Sequence, residues 1–303
     1  MLPFPRFEFH RPQTLSEALA LKQEAQSLFI AGGTDLSPSM KHRLFTPAHL
    51  ISLQGIDGLQ SISLRNQQLV IGAMMRLIEI QRHPLIQEHF SVLAFALSQI
   101  GTHTIQHMGT IGGNIMLDTR CLYYNQPEGW RQSIQGCLKA DGQVCHVAPK
   151  GKGCYAAHSA DSVPLLWLLD AQLQFETLTG PRSIPLKDLY GSDGRTWLDQ
   201  AKDLILTQIV IPLPKTKLAH RKVRLRASID YAQLLVAVQK HGEHAQAVIS
   251  AVGPQPIFVE APLNELAEAA YRAVQPLKTH APNPAWRKHM VRIEVQRALD
   301  SLQ

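Results

Sequence analysis

Short apolar and polar blocks alternate through the first part of the chain. Ser27–Ile30 and residues 49–53 are compact apolar runs of strand length, and residues 36–43 are predicted to be a short helix. Thr14-Leu-Ser-Glu17 is a capping box, which predicts that a helix begins there. The first 55 residues or so are therefore predicted to form a strand–turn–helix–strand unit.

A second lobe is predicted from residue 56 to residue 180, so that residues 1–180 form one two-lobed domain. Residues 183–190 are predicted to be a connection. The pattern predicts strands at 61–64, 68–72 and 172–176, and helices at 77–83, 92–100 and 161–169. A polar segment rich in glycine and lysine, residues 118–158, interrupts this pattern and stands apart from it.

The last part of the chain, residues 181–303, has strands first and helices afterwards. Asn283 followed by Pro284 predicts a helix start, with that helix running to about residue 302. Strands followed by helices indicate an α+β unit with an antiparallel sheet, and α+β is the class predicted for the whole chain. The expected strands are 204–211, 221–226, 231–238, 245–252 and 257–259, followed by a helix at 262–274.

Composition narrows the class of protein without identifying it. Of the 303 residues, 45% are hydrophobic and 18% are charged, which is enough apolar material for a full core. The net charge is +6, but lysine and arginine are scattered except at 220–226, so no nucleic-acid partner is predicted. The N-terminus lacks a secretory pattern and no apolar run is long enough to span a membrane, which predicts a cytoplasmic protein.

All four cysteines of the chain fall in the polar segment, at Cys121, Cys137, Cys145 and Cys154. Disulfides are disfavoured in the cytoplasm, so four soft ligands in one loop indicate an iron–sulfur cluster or a zinc ion. His146 and His158 lie nearby and keep zinc open, although the short C-x2–4-C spacing of structural zinc sites is missing. Independent buried thiols are the third alternative, and the wide spacing favours a cubane cluster.

Two double-glycine motifs flank this segment at a distance. The first is Ala31, Gly32, Gly33, Thr34 and Asp35, and the second is Thr110, Ile111, Gly112, Gly113 and Asn114. Adjacent glycines let backbone N–H groups form a concave nest for a pyrophosphate, and one dinucleotide can span two such motifs. Neither motif is a G-x-G-x-x-G or Walker sequence, and ordinary tight turns are the alternative.

A third candidate is the series Lys222, Arg226 and Asp230. These residues are spaced by even numbers, so on one extended strand they would share a face. A salt bridge within the series is one interpretation. A lysine that stabilises negative charge on a reduced flavin is the other.

These motifs together resemble the FAD-binding medium subunit of the molybdenum hydroxylase (xanthine oxidase) family. The resemblance extends over essentially the whole chain. It rests on the two glycine motifs, on Ala160-Asp161 with the following Pro164-Leu-Leu, on Ile209-Val-Ile-Pro212, and on the Lys222, Arg226 and Asp230 series. The cysteine segment resembles the insertion of 4-hydroxybenzoyl-CoA reductases, through Thr119-Arg-Cys121, Cys137-Leu-Lys139, Cys145-His-Val147 and Cys154-Tyr-Ala156.

The resemblance implies a two-lobed FAD-binding domain and two cofactors, FAD and a [4Fe-4S] cluster. The two glycine motifs would hold the FAD phosphates and ribose, Asp161 and Lys222 would lie near the flavin, and the four cysteines would bind the cluster. No residue of the chain would be catalytic. The chain would pass electrons between ferredoxin or another carrier and partner subunits that hold molybdopterin and [2Fe-2S] centres, in a 4-hydroxybenzoyl-CoA reductase or, alternatively, in an aldehyde or N-heterocycle hydroxylase.

Overall fold

Three β-sheets organise the chain. The structure is a computed structural model that describes residues 2–198, 201, 203–226 and 229–302. The sheets have three, five and four strands and follow one another along the sequence, except that the central sheet takes in strands from well-separated segments. This arrangement of separate sheets and helices confirms the predicted α+β class.

The N-terminal lobe is built on a small parallel sheet with the order β1-β3-β2. Its elements are β1 (Glu8–His10), α1 (Leu15–Leu21), β2 (Ser27–Ile30), α2 (Leu36–Lys41) and β3 (His49–Ser52). The predicted helix start is confirmed, since the Thr14 hydroxyl accepts a hydrogen bond from the Glu17 N–H at 3.1 Å. The Glu17 carboxylate accepts from the N–H of Gln13, one residue earlier than in a capping box. Strand β1 was not predicted from the sequence.

The central sheet is antiparallel and has the order β4-β5-β8-β6-β7. Its strands are β4 (Ile62–Arg65), β5 (Gln68–Gly72), β6 (Gln172–Thr177), β7 (Gly180–Pro185) and β8 (Ile205–Pro212). The helices around it are α3 (Leu77–Arg82), α4 (Pro84–His89), α5 (Ser91–Ser98), α6 (His103–Met108), α7 (Ile111–Ile115), α8 (Glu128–Ser133) and α9 (Val163–Leu168), with a 3-10 turn at Leu186–Asp188. Helix α8 lies in the cysteine segment.

The predicted division at residue 180 needs correction. Strand β8 lies between β5 and β6, where Ile209 is paired with both Ile71 and Leu173. The central sheet therefore includes residues up to Pro212, and the last unit begins after it. The predicted connection at 183–190 also overlaps the end of strand β7, which is hydrogen-bonded to β6. Ile184 is the only buried residue of that strand.

The C-terminal unit is an antiparallel sheet, β12-β11-β10-β9, with two helices packed on one face. Its elements are β9 (Leu218–Val223), β10 (Leu234–His241), β11 (His244–Ser250), β12 (Ile257–Pro262), α10 (Leu266–Ala273) and α11 (Pro284–Asp300). The predicted start of α11 is confirmed, since the Asn283 side chain accepts from the Ala285 N–H at 2.7 Å.

Helix α9 of the central unit also packs against β10 and β11, so the last sheet is joined to the rest of the fold. Ala237 and Val248 contribute to the same buried core as α9, whereas Val236 and Ile249 pack towards α11. This alternation is what a strand with two covered faces requires. No described helix combines the length and apolar character needed to cross a membrane.

Candidate functional site

A cavity of ≈ 600 Å³ lies where the N-terminal lobe, the central lobe and the C-terminal unit meet. Its volume is in the usual range for a small-molecule or cofactor site. The walls are largely apolar, with Phe29 and Leu77 among them. The cavity brings together most of the residues that the sequence singled out, namely Ala31, Gly32, Gly33, Thr34, Asp35, Thr110, Gly112, Gly113, Asn114, Asp161 and Lys222, together with Arg226 and Asp230.

The first glycine motif forms a nest of free backbone donors at the carboxyl end of β2. Gly33 has φ of 70°, a left-handed conformation that favours glycine. In the described part of the chain, no acceptor receives a hydrogen bond from the N–H groups of residues 32–35. Four unpaired donors that line one cavity are a ready site for a phosphate or another anion. That these donors hold a pyrophosphate stays a prediction.

The second motif is built differently. Thr110 caps α7, since its hydroxyl accepts from the Gly113 N–H at 3.0 Å. The N–H groups of Ile111 and Gly112 donate to the carbonyls of Met75 and Ala73, and that of Asn114 donates to Thr110. Four of the five N–H groups of this motif therefore have partners within the fold, and its contact with a phosphate or ribose stays a prediction. Ile111 is fully buried in the core and does not line the cavity.

The second motif contributes two groups to the cavity wall, namely Gly113, which has no side chain, and the side-chain amide of Asn114, which is held in place. Gly113 faces open space, since a Cβ placed there would meet only the Thr110 Oγ1 at 3.0 Å and the Ala31 Cβ at 3.8 Å. Asn114 is held by Ser162, whose N–H and hydroxyl both donate to its Oδ1. The two motifs therefore lie side by side on the cavity wall, since a Cβ at Gly113 would be 3.8 Å from the Ala31 Cβ.

Gly32 permits the N-terminal and central lobes to approach closely. A Cβ at Gly32 would overlap the carbonyl of Met108 and crowd Gly109. The first motif can therefore lie directly against the loop that leads into α7. One glycine pair thus serves two purposes, with Gly33 shaping the nest and Gly32 setting the distance between the lobes.

Asp161 and Lys222 form a buried ion pair at the cavity, with 2.6 Å between Asp161 Oδ1 and Lys222 Nζ. The Lys222 ammonium also donates to the carbonyl of Gln99 at 2.9 Å. Burial raises the pKa of Asp161 above its ordinary value, and the adjacent Lys222 opposes that rise. The structure thus contains a salt bridge, but Lys222 is not paired with Asp230.

The even spacing of Lys222, Arg226 and Asp230 misled the sequence interpretation. Strand β9 ends at Val223, so these residues do not share one strand face. Asp230 instead accepts hydrogen bonds from the N–H groups of Leu225 and Arg226, and its carboxylate lies 3.6 Å from the Arg226 guanidinium. All three nonetheless line the cavity.

Replacing Lys222 with methionine should destabilise the protein more than replacing both members of the pair. The single change leaves the Asp161 carboxylate buried without a counter-charge, and breaking such a pair costs about 3–5 kcal/mol. In the Asp161→Asn, Lys222→Met double variant the loss in unfolding free energy should be smaller. Urea denaturation of both variants at one fixed FAD concentration measures this, with Asp161→Asn completing the cycle. Losses that simply add would contradict the coupling.

Sequence reasoning missed a polar cluster that links the cavity to the cysteine segment. Asp118 accepts from Lys139 Nζ at 2.5 Å, from Trp197 Nε1 at 3.0 Å and from the Tyr124 hydroxyl at 2.8 Å. All four residues line the cavity. They come from positions up to 79 residues apart, so no local pattern in the sequence indicates that they meet.

Arg120 makes a second link. Its guanidinium lies 2.6 Å from Asp35 of the first glycine motif and 3.7 Å from the centre of the Tyr231 ring. Burial is the main cause that raises the pKa of Asp35, and the charge of Arg120 counteracts it. Arg120 directly precedes Cys121 in the sequence. The residue that contacts the first glycine motif is therefore next to the first cysteine.

The four cysteines are all buried and none forms a disulfide. Cys121, Cys137 and Cys154 belong to one buried cluster with Tyr124 and Ala156. Burial raises the pKa of Cys121 to about 12 and that of Cys154 to about 11. Without a metal these thiols would stay protonated, whereas a bound metal favours the thiolate and releases the protons.

Backbone N–H groups are already directed at the sulfur atoms. Those of Tyr123 and Tyr124 lower the pKa of Cys121 and partly offset its burial. The Ala156 N–H donates to the Cys154 sulfur at 3.4 Å. Such N–H···S bonds tune iron–sulfur clusters and stabilise metal-bound thiolates in general. That these thiols bind a metal rather than stay independent is a prediction from the sequence.

The spacing of the side chains helps to distinguish the metals. In a tetrahedral zinc site with Zn–S of about 2.3 Å, sulfur atoms lie about 3.8 Å apart. Among the described residues, no three ligand atoms of the cysteine segment lie within 4.8 Å of one another. Around a cubane each thiolate binds a different iron, so the sulfurs are farther apart. His146 and His158 are hydrogen-bonded to Gly136 and Ser250.

Comparison with known proteins places this geometry in context. Residues 5–214 match the family model described as the FAD binding domain in molybdopterin dehydrogenase. The chain is 32% identical to the aldehyde oxidoreductase FAD-binding subunit PaoB of Escherichia coli (strain K12) over 278 residues, which is 87% of each protein.

Two solved structures have the same fold. The chain matches carbon monoxide dehydrogenase from Hydrogenophaga pseudoflava with a TM-score of 0.77 and 23% identity, covering 100% of this chain and 98% of that one. It matches quinoline 2-oxidoreductase from Pseudomonas putida 86 with a TM-score of 0.75 and 19% identity, covering 99% and 98%. At these identities the likeness concerns the fold alone.

Proposed function

Because the chain belongs to the FAD-binding family of molybdopterin dehydrogenases, we propose that it is the electron-transferring flavin subunit of a molybdenum-dependent oxidoreductase. The observation that supports this most directly is the single cavity on which both glycine motifs converge. The relatives of this chain are flavoprotein subunits of oxidoreductases. Electron transfer through a flavin needs no residue of the cavity as a nucleophile or general base.

In this proposal the nest at residues 32–35 binds the pyrophosphate of FAD, because it offers the free N–H groups that phosphate oxygens require. Gly113 and Asn114 form the adjoining wall. Lys222, held by Asp161, provides positive charge that favours the reduced, anionic flavin ring. Bound FAD would supply the chemistry of a two-electron carrier that can also exchange single electrons.

We also propose that Cys121, Cys137, Cys145 and Cys154 hold a [4Fe-4S] cluster. The burial of all four thiols in one segment and the N–H···S contact at Cys154 support this assignment. The cluster would provide a one-electron carrier close to the flavin cavity, since Lys139 and Asp118 connect the two. Partner subunits with molybdopterin and [2Fe-2S] centres would complete a cytoplasmic assembly in which the substrate reacts away from this chain.

Two directions of electron flow are candidates. In the first, an aldehyde is oxidised on the molybdenum subunit and electrons leave through this chain, which the 32% identity with an aldehyde oxidoreductase subunit over 87% of both proteins favours. In the second, ferredoxin reduces this chain and an aromatic acyl-CoA thioester such as 4-hydroxybenzoyl-CoA is the final acceptor. The sequences around the four cysteines favour the second.

An anaerobic titration of the purified complex distinguishes the two. An aromatic aldehyde added to the oxidised complex should bleach the flavin if electrons flow outward. If they flow inward, 4-hydroxybenzoyl-CoA should reoxidise a complex that dithionite and viologen have reduced. Absence of flavin from the purified chain, judged by its absorbance and by FAD released on denaturation, would refute the flavin subunit itself.

A further inference from the structure

A set of potential metal ligands lies in the N-terminal lobe, on β1 and β3. Glu8, His10 and His49 place one potential ligand atom each within 4.8 Å of the other two. Glu8 and His10 are two residues apart on β1 and therefore share a face of the strand. His49 begins β3 and is paired directly with Glu8 in the parallel sheet. The sheet register itself brings the three side chains together.

The distances between these ligand atoms are close to those of a metal site. His10 Nε2 lies 3.0 Å from His49 Nδ1, and the Glu8 carboxylate oxygens lie 3.6 Å from His49 Nδ1 and 3.9 Å from His10 Nε2. With metal–ligand distances of about 2.0–2.1 Å, tetrahedral ligand atoms lie about 3.3 Å apart. Shifts of a few tenths of an ångström would bring all three onto one ion.

The chemistry of the three side chains selects the ion. Two imidazoles and one carboxylate suit a divalent first-row transition metal and are poor ligands for Mg²⁺ or Ca²⁺. The imidazoles are partly buried, whereas 68% of the Glu8 side chain is exposed, so further positions on the ion would face water. His10 Nε2 and His49 Nδ1 contact each other and the Glu8 carboxylate. Neither nitrogen has a further partner among the described residues that would compete with a metal ion.

The site is separate from the flavin cavity. His49 is level with Ser27 at the start of β2, whereas the phosphate nest follows Ile30 at its other end. Three residues of extended strand separate these levels, or about 10 Å. None of the three ligands lines the cavity. An ion there would instead connect the short edge strand β1 to β3, two segments 39 residues apart.

We propose that Glu8, His10 and His49 form a structural site for Zn²⁺ that fixes the N-terminal strand on the edge of the parallel sheet. The ion replaces the direct contact between the two imidazoles and neutralises the exposed carboxylate beside them. The site needs neither FAD nor the cysteine cluster, and it stands whether or not the proposed function is correct.

Zinc titration by calorimetry tests this on tag-free protein purified with its cofactors, so that the cysteines are occupied. One equivalent of Zn²⁺ should bind to the wild type. His10→Gln and His49→Gln should each weaken binding by at least about tenfold, as should Glu8→Gln. The matched control is His103→Gln, since His103 and His107 also form a close histidine pair on α6 but have no carboxylate partner in the site. This control should bind zinc like the wild type.

Hydrogen exchange provides a second measurement that does not depend on activity. Added Zn²⁺ should slow exchange at the amides of β1 in the wild type and in His103→Gln, but not in His49→Gln. The three-ligand assignment is overturned if Glu8→Gln binds zinc with unchanged affinity. The site as a whole is overturned if the wild type does not bind, or if the His10 and His49 variants bind as tightly as it does. Circular dichroism and FAD content establish that each variant is folded.

Discussion

Protein in which valine replaces Gly113 is expected to fold and to lose most of its FAD. Gly113 lies in helix α7 with ordinary backbone angles, and a Cβ there would meet only one close atom, the Thr110 Oγ1. The isopropyl group would therefore extend into the cavity where the ligand must lie. We expect FAD affinity to fall by at least about tenfold, or ~1.4 kcal/mol. Fluorescence titration of the flavin-free variant with FAD measures the loss.

Gly33→Val tests the first glycine motif and needs a control for backbone strain. A side chain at φ of 70° costs about 1–2 kcal/mol regardless of any ligand. Gly58 has φ of 80° and does not line the cavity, so Gly58→Val carries a similar backbone strain without touching the site. A Cβ at Gly33 would in addition crowd the Ile30 Cδ1 at 3.1 Å and the Ser37 Oγ at 3.2 Å, so both variants are compared at equal urea stability. Gly33→Val should lose FAD and Gly58→Val should retain it. Full flavin occupancy in both Gly33→Val and Gly113→Val would refute the assigned cavity.

Cys145→Ser should remove the cluster and leave FAD in place. A cubane needs four thiolates, and the segment contains no other cysteine that could substitute. Iron and sulfide should fall from about four of each per chain to well below one. FAD should stay bound, because the nest at residues 32–35 and the wall at Gly113 lie outside the segment. Iron and sulfide analysis and the flavin spectrum of anaerobically purified protein give both results.

His146→Ala is the matched control for this change. His146 is adjacent to Cys145, and its ring is hydrogen-bonded to the Gly136 carbonyl rather than directed at the sulfurs. The variant should keep its iron. Loss of metal from His146→Ala but not from Cys145→Ser would contradict the four-cysteine assignment. So would one zinc and no iron in the wild type.

Local signals in the sequence predicted the parts of the fold that local chemistry determines. Thr14 and Asn283 begin helices because their side chains satisfy N–H groups a few residues away. The position of β8 was not accessible in this way. Its apolar pattern predicted a strand, but whether that strand joins β5 or β9 depends on contacts more than a hundred residues apart.

The same distinction applies to the site. The nest at Gly33 depends on the conformational freedom of glycine, a property of the residue itself. The partner of Lys222 depends on how α9 packs against the last sheet, and the sequence analysis considered a salt bridge only within the series of Lys222, Arg226 and Asp230. His10 and His49 were not recognised at all. Glu8 and His10 have the spacing of a ligand pair, but the third ligand becomes visible only with the register of β1 and β3.

The two ends of the cysteine segment meet at a pair of hydrogen bonds. The Arg120 N–H donates to the Ala157 carbonyl at 2.8 Å, and the Ala157 N–H donates to the Arg120 carbonyl at 2.7 Å. The thirty-odd residues between them leave the fold and return to it at one point, so their length is not constrained by the strands on either side. A short turn between residue 120 and residue 157 would join the same two backbone positions. The segment is thus attached to the backbone of the flavin domain at one point, but its Tyr124 and Lys139 side chains complete the cavity wall, so its loss would also open that wall.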